Sequence, residues 1–205
     1  MRVKTVEQRH EFINAAGHLF IQQGYAAVTM EAIAAEAGKS KVTLYNYFSS
    51  KEELFEAFVV QAGAGAVEEL TKVYVEADSA RDILQRLGLA LLRLVSRPDV
   101  IALDRLIIGE ARRYPELARI FFENGPKRTV AALAEVIARC MDSGKIDARN
   151  AELAALHFKA ICAGDLIENL MWGTIAQPTK EKLKKISDNA VKVFLDGYRI
   201  RRMRR

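Results

Sequence analysis

Apolar residues recur at intervals of three and four along nearly the whole chain, which is the periodicity of amphipathic helices. Phe12, Ala16, Leu19 and Phe20 form such a stripe, and Gly24 follows it where a helix-ending glycine is expected. Strand-like alternation of β-branched residues is scarce, and the four prolines stand near the ends of periodic segments. The pattern therefore predicts an all-α chain.

Capping residues, glycines and prolines divide this pattern into about nine helices. The predicted helices cover residues 6–23, 29–38, 40–48, 51–78, 79–97, 99–113, 115–141 with an interruption at Gly125-Pro126, 150–172, and a last segment that begins at Thr179. The first three hold too little apolar surface to be stable alone, so we expect them to pack on the helix that starts at Lys51. We predict an N-terminal domain of residues 1–50 and a larger helical bundle of residues 51–205.

The second and third short helices, joined by a turn at Gly38, fit a helix-turn-helix layout, although many other αα corners share this description. At 100° per residue, Leu44 and Phe48 form the inward face of the helix over residues 41–48. Small residues then occupy the centre of the outward face and tyrosines its two flanks, which suits a helix that enters a DNA groove. The outward and flanking positions are Val42, Thr43, Tyr45, Asn46 and Tyr47.

Two stretches carry a family resemblance: AAVTMEAIAAEAG over residues 26–38 and SKVTLYNYFSSKEEL over residues 40–54. They resemble the DNA-binding head of TetR/AcrR-type transcriptional regulators. Residues 105–173, with YPEL at 114–117 and FFENGP at 121–126, are similar to the regulatory domain of the AefR-like subset. The resemblance implies a homodimer that binds a palindromic operator, usually represses transcription, and releases DNA when a small molecule enters the C-terminal bundle.

The resemblance also implies roles for single residues. Thr29 resembles a helix cap that holds a phosphate, and Tyr45, Tyr47 and Lys51 resemble phosphate-contacting positions. Lys41, Val42 and Thr43 resemble the base-facing start of the recognition helix. The outward position of Asn46 suits a bidentate contact to adenine, but a solvated polar residue explains it equally well. The complete predicted DNA-binding set is Thr29, Lys39, Ser40, Lys41, Val42, Thr43, Tyr45, Asn46, Tyr47 and Lys51.

Effector binding and dimerisation rest on apolar residues of the bundle, which would equally make a solid core. The predicted effector set, suited to an apolar or aromatic compound, is Leu103, Ile107, Phe121, Phe122, Cys162, Leu166 and Trp172. Small residues on the eighth helix and the stripe on the ninth predict the dimer contact. These residues are Ala160, Ala163, Gly164, Ile186, Ala190 and Phe194.

Catalytic interpretations find little support, because the chain has three histidines and neither a nucleophile elbow, a His-Glu-x-x-His motif nor a phosphate loop. His157, Asp165 and Glu168 share roughly one helix face but cannot surround a cation alone. Cys140 and Cys162 lie in apolar patterns and are predicted to be reduced core thiols. We expect a non-enzymatic protein without cofactor or metal that stays in the cytoplasm, since no apolar run is long enough for a membrane helix or a secretion signal.

The net charge of +5 over 205 residues gives little support to DNA binding. Residues 1–54 contain six basic and six acidic side chains, so the predicted head is neutral. The surplus lies at the C-terminus, in Arg199, Arg201, Arg202, Arg204 and Arg205. Two other interpretations stay open: a transcriptional activator of the same family, and an all-α small-molecule-binding or catalytic bundle whose head docks a protein partner.

Overall fold

The computed structural model describes residues 5–198, and within that range the chain forms twelve α-helices and no strand. The prediction of an all-α fold is confirmed. The helices are α1 (Val6–Gln23), α2 (Met30–Glu36), α3 (Lys41–Tyr45), α4 (Lys51–Gly63), α5 (Ala66–Thr71), α6 (Ala80–Val95), α7 (Pro98–Glu110), α8 (Pro115–Asn124), α9 (Pro126–Asp142), α10 (Ala151–Ala163), α11 (Leu166–Trp172) and α12 (Lys180–Gly197). The C-terminal arginines, on which the charge surplus depends, lie outside the described residues.

Three predicted helices are each divided in two, which raises the count from nine to twelve. Gly65 has φ +75° and separates α4 from α5, and Gly164 has φ +48° and separates α10 from α11. A residue with positive φ interrupts a helix, and glycine adopts such a conformation at little cost. At the third break, Pro126 begins α9 directly after Gly125, where the sequence predicts an interruption.

The helices are grouped into two compact units. The first comprises residues 1–63 and 102–125, so α1–α4 and α8 belong to it together with the second part of α7. The second comprises residues 64–101 and 126–205, with α5, α6 and α9–α12. The predicted division at residue 50 separates a functional head from the rest and stays a prediction, whereas the packing groups α4 and residues 102–125 with that head.

Aromatic rings fill the core of the first unit. Phe20, Tyr25 and Phe55 are buried, and their ring centroids lie 5.3–5.7 Å apart. Burial of rings of this size is among the largest contributions to stability in a small helical unit, and the edge-on contacts of Phe55 with the other two rings add to it. Leu44 and Phe48 are completely covered in the same core, as the unrolled helix predicts. The buried faces of α2 and α3 pack against this core.

The second unit is a bundle in which α6 packs against α10 and α12. Gly88 on α6 makes the close approach possible, because a Cβ atom there would lie 2.6 Å from Ser187 Oγ on α12. Ser187 is buried, and its hydroxyl donates to the Gln85 carbonyl at 3.1 Å. Phe158 and Phe194 pack edge to face at 5.1 Å beside this contact. No helix within residues 5–198 combines the length and the apolar character that crossing a bilayer requires.

Candidate nucleic-acid interface

The helix-turn-helix pair is built from two short, capped helices. The Thr29 hydroxyl accepts the Ala32 amide at 3.2 Å and starts α2, and the Ser40 hydroxyl accepts the Thr43 amide at 3.2 Å and starts α3. Gly38 has φ +63° in the turn between them. Each cap is satisfied locally, so α2 and α3 keep defined starts although each is only a few residues long.

The outward side of α3 is open to solvent. Val42 is 72% exposed and Tyr45 is 45% exposed, and both are large apolar or aromatic side chains with no cover in the monomer. Lys41 and Asn46 are exposed beside them, and Thr43 is half-buried, with its hydroxyl 2.8 Å from that of Ser40. Since α3 ends at Tyr45, Asn46 is its C-cap rather than a residue of its last turn. Lys41, Val42, Tyr45 and Asn46 are thus accessible to solvent, and Thr43 is accessible in part.

Tyr47 faces α1 instead of standing free at the flank. Its hydroxyl donates to Gln8 Oε1 at 2.8 Å and accepts the Thr5 amide at 2.9 Å, and its ring lies 5.5 Å from that of Phe12. These bonds tie the start of α1 to the end of the helix-turn-helix pair. The sequence predicts that Tyr45 and Tyr47 lie on opposite flanks of the helix. In the structure, the Tyr45 hydroxyl is open to solvent, whereas the Tyr47 hydroxyl is hydrogen-bonded to α1.

Lys51 is engaged in the same way. Its Nζ donates to the carbonyl oxygens of Tyr25 and Val28, both at 2.8 Å, and lies 4.1 Å from the centroid of the Tyr25 ring. Burial lowers the pKa of the Lys51 amine. The segment it holds leads directly into Thr29, the cap of α2. An ammonium has three donors, so one remains for a group outside the head.

Two other lysines of the predicted set are paired with carboxylates. Lys41 forms an ion pair with Glu31, and Lys39 Nζ lies 3.1 Å from Glu11 Oε2. The hydrogen bond with Lys41 lowers the pKa of Glu31 and raises the pKa of Lys41. All four side chains are at least one-third exposed, so these pairs open at little cost when another anion approaches.

Sequence reasoning missed Tyr25, which organises the start of α4. Its hydroxyl donates to Glu52 Oε1 at 2.9 Å, and burial, with this bond as a smaller cause, raises the pKa of Tyr25. The Lys51 amine also lies over the Tyr25 ring, in a cation–π contact. A buried tyrosine just after a helix-ending glycine was the available signal, but its partners lie 26 and 27 residues away along the chain.

The predicted effector residues are divided between the two units. Leu103, Ile107 and the partly buried Phe121 belong to the core of the first unit, whereas Cys162 and Leu166 are buried in the second. Phe122 and Trp172 are exposed. Burial raises the pKa of the Cys162 thiol to about 12 and also raises that of Cys140, and both cysteines are free.

The predicted dimer residues lie on two faces of their helices. Ala160 and Gly164 are exposed and Ala163 and Ile186 are half-buried, but Ala190 and Phe194 are covered within the second unit. An interface on α12 would therefore use an exposed flank of that helix, beside the covered stripe. Three large apolar side chains are exposed on these two helices: Leu153 and Leu156 on α10, and Val193 on α12. The sequence pattern did not point to them.

Two of the three remaining titratable candidates, His157 and Asp165, have hydrogen-bond partners. His157 Nδ1 lies 2.7 Å from the Tyr198 hydroxyl, and the Asp165 carboxylate accepts the Asn169 side-chain amide at 3.2 Å. Among the described residues, no group of three or more His, Cys, Asp and Glu side chains is arranged to hold a metal ion.

Two family models match most of the chain. Residues 12–58 match the model described as bacterial regulatory proteins of the tetR family, and residues 82–200 match the C-terminal domain of AefR-like transcriptional repressors. Over 201 residues the chain is 26% identical to the HTH-type nicotine-responsive transcriptional repressor HdnoR of Paenarthrobacter nicotinovorans, covering 96% of this chain and 98% of HdnoR.

Solved structures agree over the whole length. A Mesorhizobium loti protein assigned to the TetR family of transcriptional regulators has a TM-score of 0.85 and 30% identity, covering 97% of this chain and 100% of that protein. The flavonoid-responsive regulator FrrA has a TM-score of 0.77 and 30% identity, covering 94% of this chain and 97% of FrrA.

Proposed function

This chain belongs to the TetR family of DNA-binding transcriptional regulators and has the C-terminal domain of AefR-like transcriptional repressors, and on that premise we propose that the open side of α3 reads base pairs in a DNA major groove. The single observation that carries the proposal is the accessible surface of Lys41, Val42, Tyr45 and Asn46. A recognition helix contacts base edges with the residues of its first turn. Val42 and Thr43 stand in that turn, beside the amine of Lys41.

The residues around this surface hold the DNA backbone. Tyr45 donates its hydroxyl to a phosphate, and Thr29, Lys39 and Ser40 lie at the ends of α2 and α3 where backbone amides also face an anion. Lys39 and Lys41 exchange their carboxylate partners for phosphates. Asn46 has two donors and an acceptor in its amide, which suits adenine in the major groove.

A homodimer presents two such heads. TetR-family regulators act as dimers, and the exposed apolar face of α10 and α12 is the surface that we assign to a second copy. Leu153, Leu156 and Ala160 follow one another at intervals of three and four on α10, so they share a face, and Val193 adds an apolar side chain from α12. Two heads held about 34–36 Å apart read the two halves of a palindrome.

A small molecule regulates this binding. The family takes small-molecule effectors, and the names of HdnoR and FrrA specify nicotine and flavonoids, both of which contain aromatic rings. An apolar or aromatic effector therefore suits this chain, and repression with release on effector binding is the proposed cycle. The ligand acts because it has different affinities for the DNA-competent and DNA-released states. Since a bacterial operator lies in the cytoplasm, the protein works there.

Selection from random-sequence double-stranded DNA tests the recognition surface. We expect one palindromic motif to be enriched. Asn46→Ala should relax preference at one position of each half-site, whereas Tyr45→Phe should weaken binding to all sequences alike by about fivefold or more, because it removes only a phosphate donor. If a folded dimer enriches no motif, the head is not a DNA reader and a protein-docking bundle becomes the better account.

Sedimentation equilibrium tests the dimer face with a matched pair of valines. Val193→Glu places a charge in the proposed interface and should yield a monomer at micromolar concentration. Val75→Glu places the same charge at an exposed position in the loop before α6 and should leave a dimer. Equal behaviour of the two variants would exclude this face of α12 as the contact between subunits.

A further inference from the structure

A groove of about 420 Å³ runs along α6 within the second unit. This volume is in the range of roughly 300–1,000 Å³ that small-molecule sites occupy. Its floor is apolar, because Leu89, Ala90 and Leu94 of α6 line it together with Val73. The α6 residues that line the groove, from Arg86 to Leu94, recur at intervals of three and four, so the groove follows one stripe of the helix at the edge of the face that packs into the core.

Three arginines surround that apolar floor. Arg86, Arg93 and Arg97 line the groove; Arg86 and Arg93 stand about 10 Å apart along α6, from a rise of about 1.5 Å per residue, and Arg97 follows the helix C-cap Ser96. Glu69 lines the opposite side, and its carboxylate lies 2.6 Å from Lys72 Nζ. Together with their ion-pair partners Lys72, Asp78 and Asp99, these side chains make four positive charges against three negative ones, which leaves a surplus of one positive charge.

Two of the arginines are held in place and still have free donors. Arg86 donates through Nε and Nη2 to the Val73 carbonyl and through Nη2 to Asp78, which leaves Nη1 unused. Arg97 donates through Nε and Nη2 to Asp99. Arg93 stands between them, is exposed, and has no ion-pair partner in the part of the chain that the structure describes.

The adjoining groove differs in charge. It has a volume of about 240 Å³ and shares Arg86 and Leu89 with the first, but Asp82 and Asp188 there balance Arg86 and Lys184. Lys184 is already paired with Asp188 at 2.8 Å. An anion would therefore be attracted to the groove around Arg93 and not to its neighbour.

We propose that the groove around Arg93 binds an organic carboxylate with an apolar body. The carboxylate forms a bidentate pair with the Arg93 guanidinium, with Arg86 and Arg97 on either side, and the apolar body covers the floor formed by Leu89 and Ala90. None of the predicted effector residues lines this groove, so it is a site of its own. Whether a ligand in this groove regulates DNA binding rests on the proposed function, but binding of the carboxylate to the groove does not.

Isothermal titration of the full-length protein without DNA tests this site, with octanoate as the probe. Octanoate combines a carboxylate with a seven-carbon tail, whereas 1-octanol lacks the charge and acetate lacks the tail. We expect octanoate to bind at least about tenfold more tightly than either, because only octanoate makes both the charge-assisted bonds and the apolar contact. Its affinity should also fall as salt screens the arginines.

Two matched variants locate the binding. Arg93→Gln should weaken octanoate binding about tenfold, and Arg93→Lys, which keeps the charge but not the fork, should weaken it less. Arg81→Gln removes an exposed arginine from the first turn of the same helix, outside the groove, and should change the affinity by less than about twofold.

The proposal is overturned if octanoate does not bind, if octanol binds equally well, or if Arg93→Gln and Arg81→Gln have the same effect. Because the titration contains no DNA, any of these outcomes leaves recognition by α3 untouched. Conversely, failure of the head to select a DNA motif would not affect the octanoate proposal, which the titration tests separately. Circular dichroism should give the same melting temperature for both glutamine variants, since both side chains are exposed.

Discussion

Replacing Lys51 with methionine should destabilise the DNA-binding head and leave the salt dependence of DNA binding unchanged. The family resemblance assigns Lys51 to a phosphate, but its amine donates to the Tyr25 and Val28 carbonyls at 2.8 Å. Methionine keeps most of the apolar stem and removes the donors. The variant therefore distinguishes two roles for the Lys51 side chain. One is to hold the segment that leads into the cap of α2, and the other is to contact a DNA phosphate.

The size of the effect follows from the two hydrogen bonds. A bond to a charged group contributes about 1.5–3 kcal/mol, and the lost pair leaves two carbonyls that water reaches only in part, since Lys51 is half-buried. Solvent around the amine reduces the sum, so we expect the free energy of unfolding to fall by about 2–3 kcal/mol. Urea denaturation monitored by circular dichroism measures this change.

The slope of log Kd against log salt concentration distinguishes the roles. Each phosphate contact by a cation contributes about 0.9 to that slope, so losing one from each head of a dimer would reduce it by about 2. We expect Lys51→Met to give a weaker but parallel line, and Lys41→Met, with an exposed amine, to give a shallower one. An unchanged unfolding free energy with a shallower line would refute the positioning role.

Three further changes test other parts of the structure. Glu31→Gln frees the Lys41 amine, and we expect tighter binding to non-specific DNA by a few fold with a steeper salt slope, measured by fluorescence anisotropy; a weaker interaction would contradict the pairing. Gly88→Ala forces a methyl against Ser187 Oγ and should cost about 1–3 kcal/mol of unfolding free energy in urea denaturation. Cys162, whose pKa is raised to about 12, should resist a thiol reagent at pH 8 until urea is added.

The parts of the head that depend on neighbouring residues could be predicted from the sequence. Thr29 and Ser40 cap α2 and α3 because a hydroxyl reaches an amide three residues further along the chain, which is a purely local geometry. Helical periodicity likewise gives the burial of Leu44 and Phe48. The boundaries of α1 follow from its cap and its terminal glycine in the same way.

Contacts between distant residues could not be predicted. Unrolling a helix gives the direction of Tyr47 but not that α1 lies there to accept its hydroxyl 39 residues away. An apolar stripe shows that Ala190 and Phe194 are covered but not whether the cover is another helix of the same chain or a second copy. The breaks at Gly65 and Gly164 need a backbone with positive φ, which glycine permits but does not require.

The neutral charge of the head has a structural counterpart that bears on specificity. Lys39 and Lys41, which stand beside the open face of α3, are each paired with a glutamate, Glu11 and Glu31. A phosphate must compete with those carboxylates, so attraction to DNA of any sequence is weaker than two free lysines would give. In the proposed mode of binding, contacts to base edges through the open face of α3 then provide a larger share of the total affinity. A head with paired lysines thus gains discrimination between operator and non-specific DNA, because the sequence-independent part of binding is reduced while the sequence-dependent part is retained.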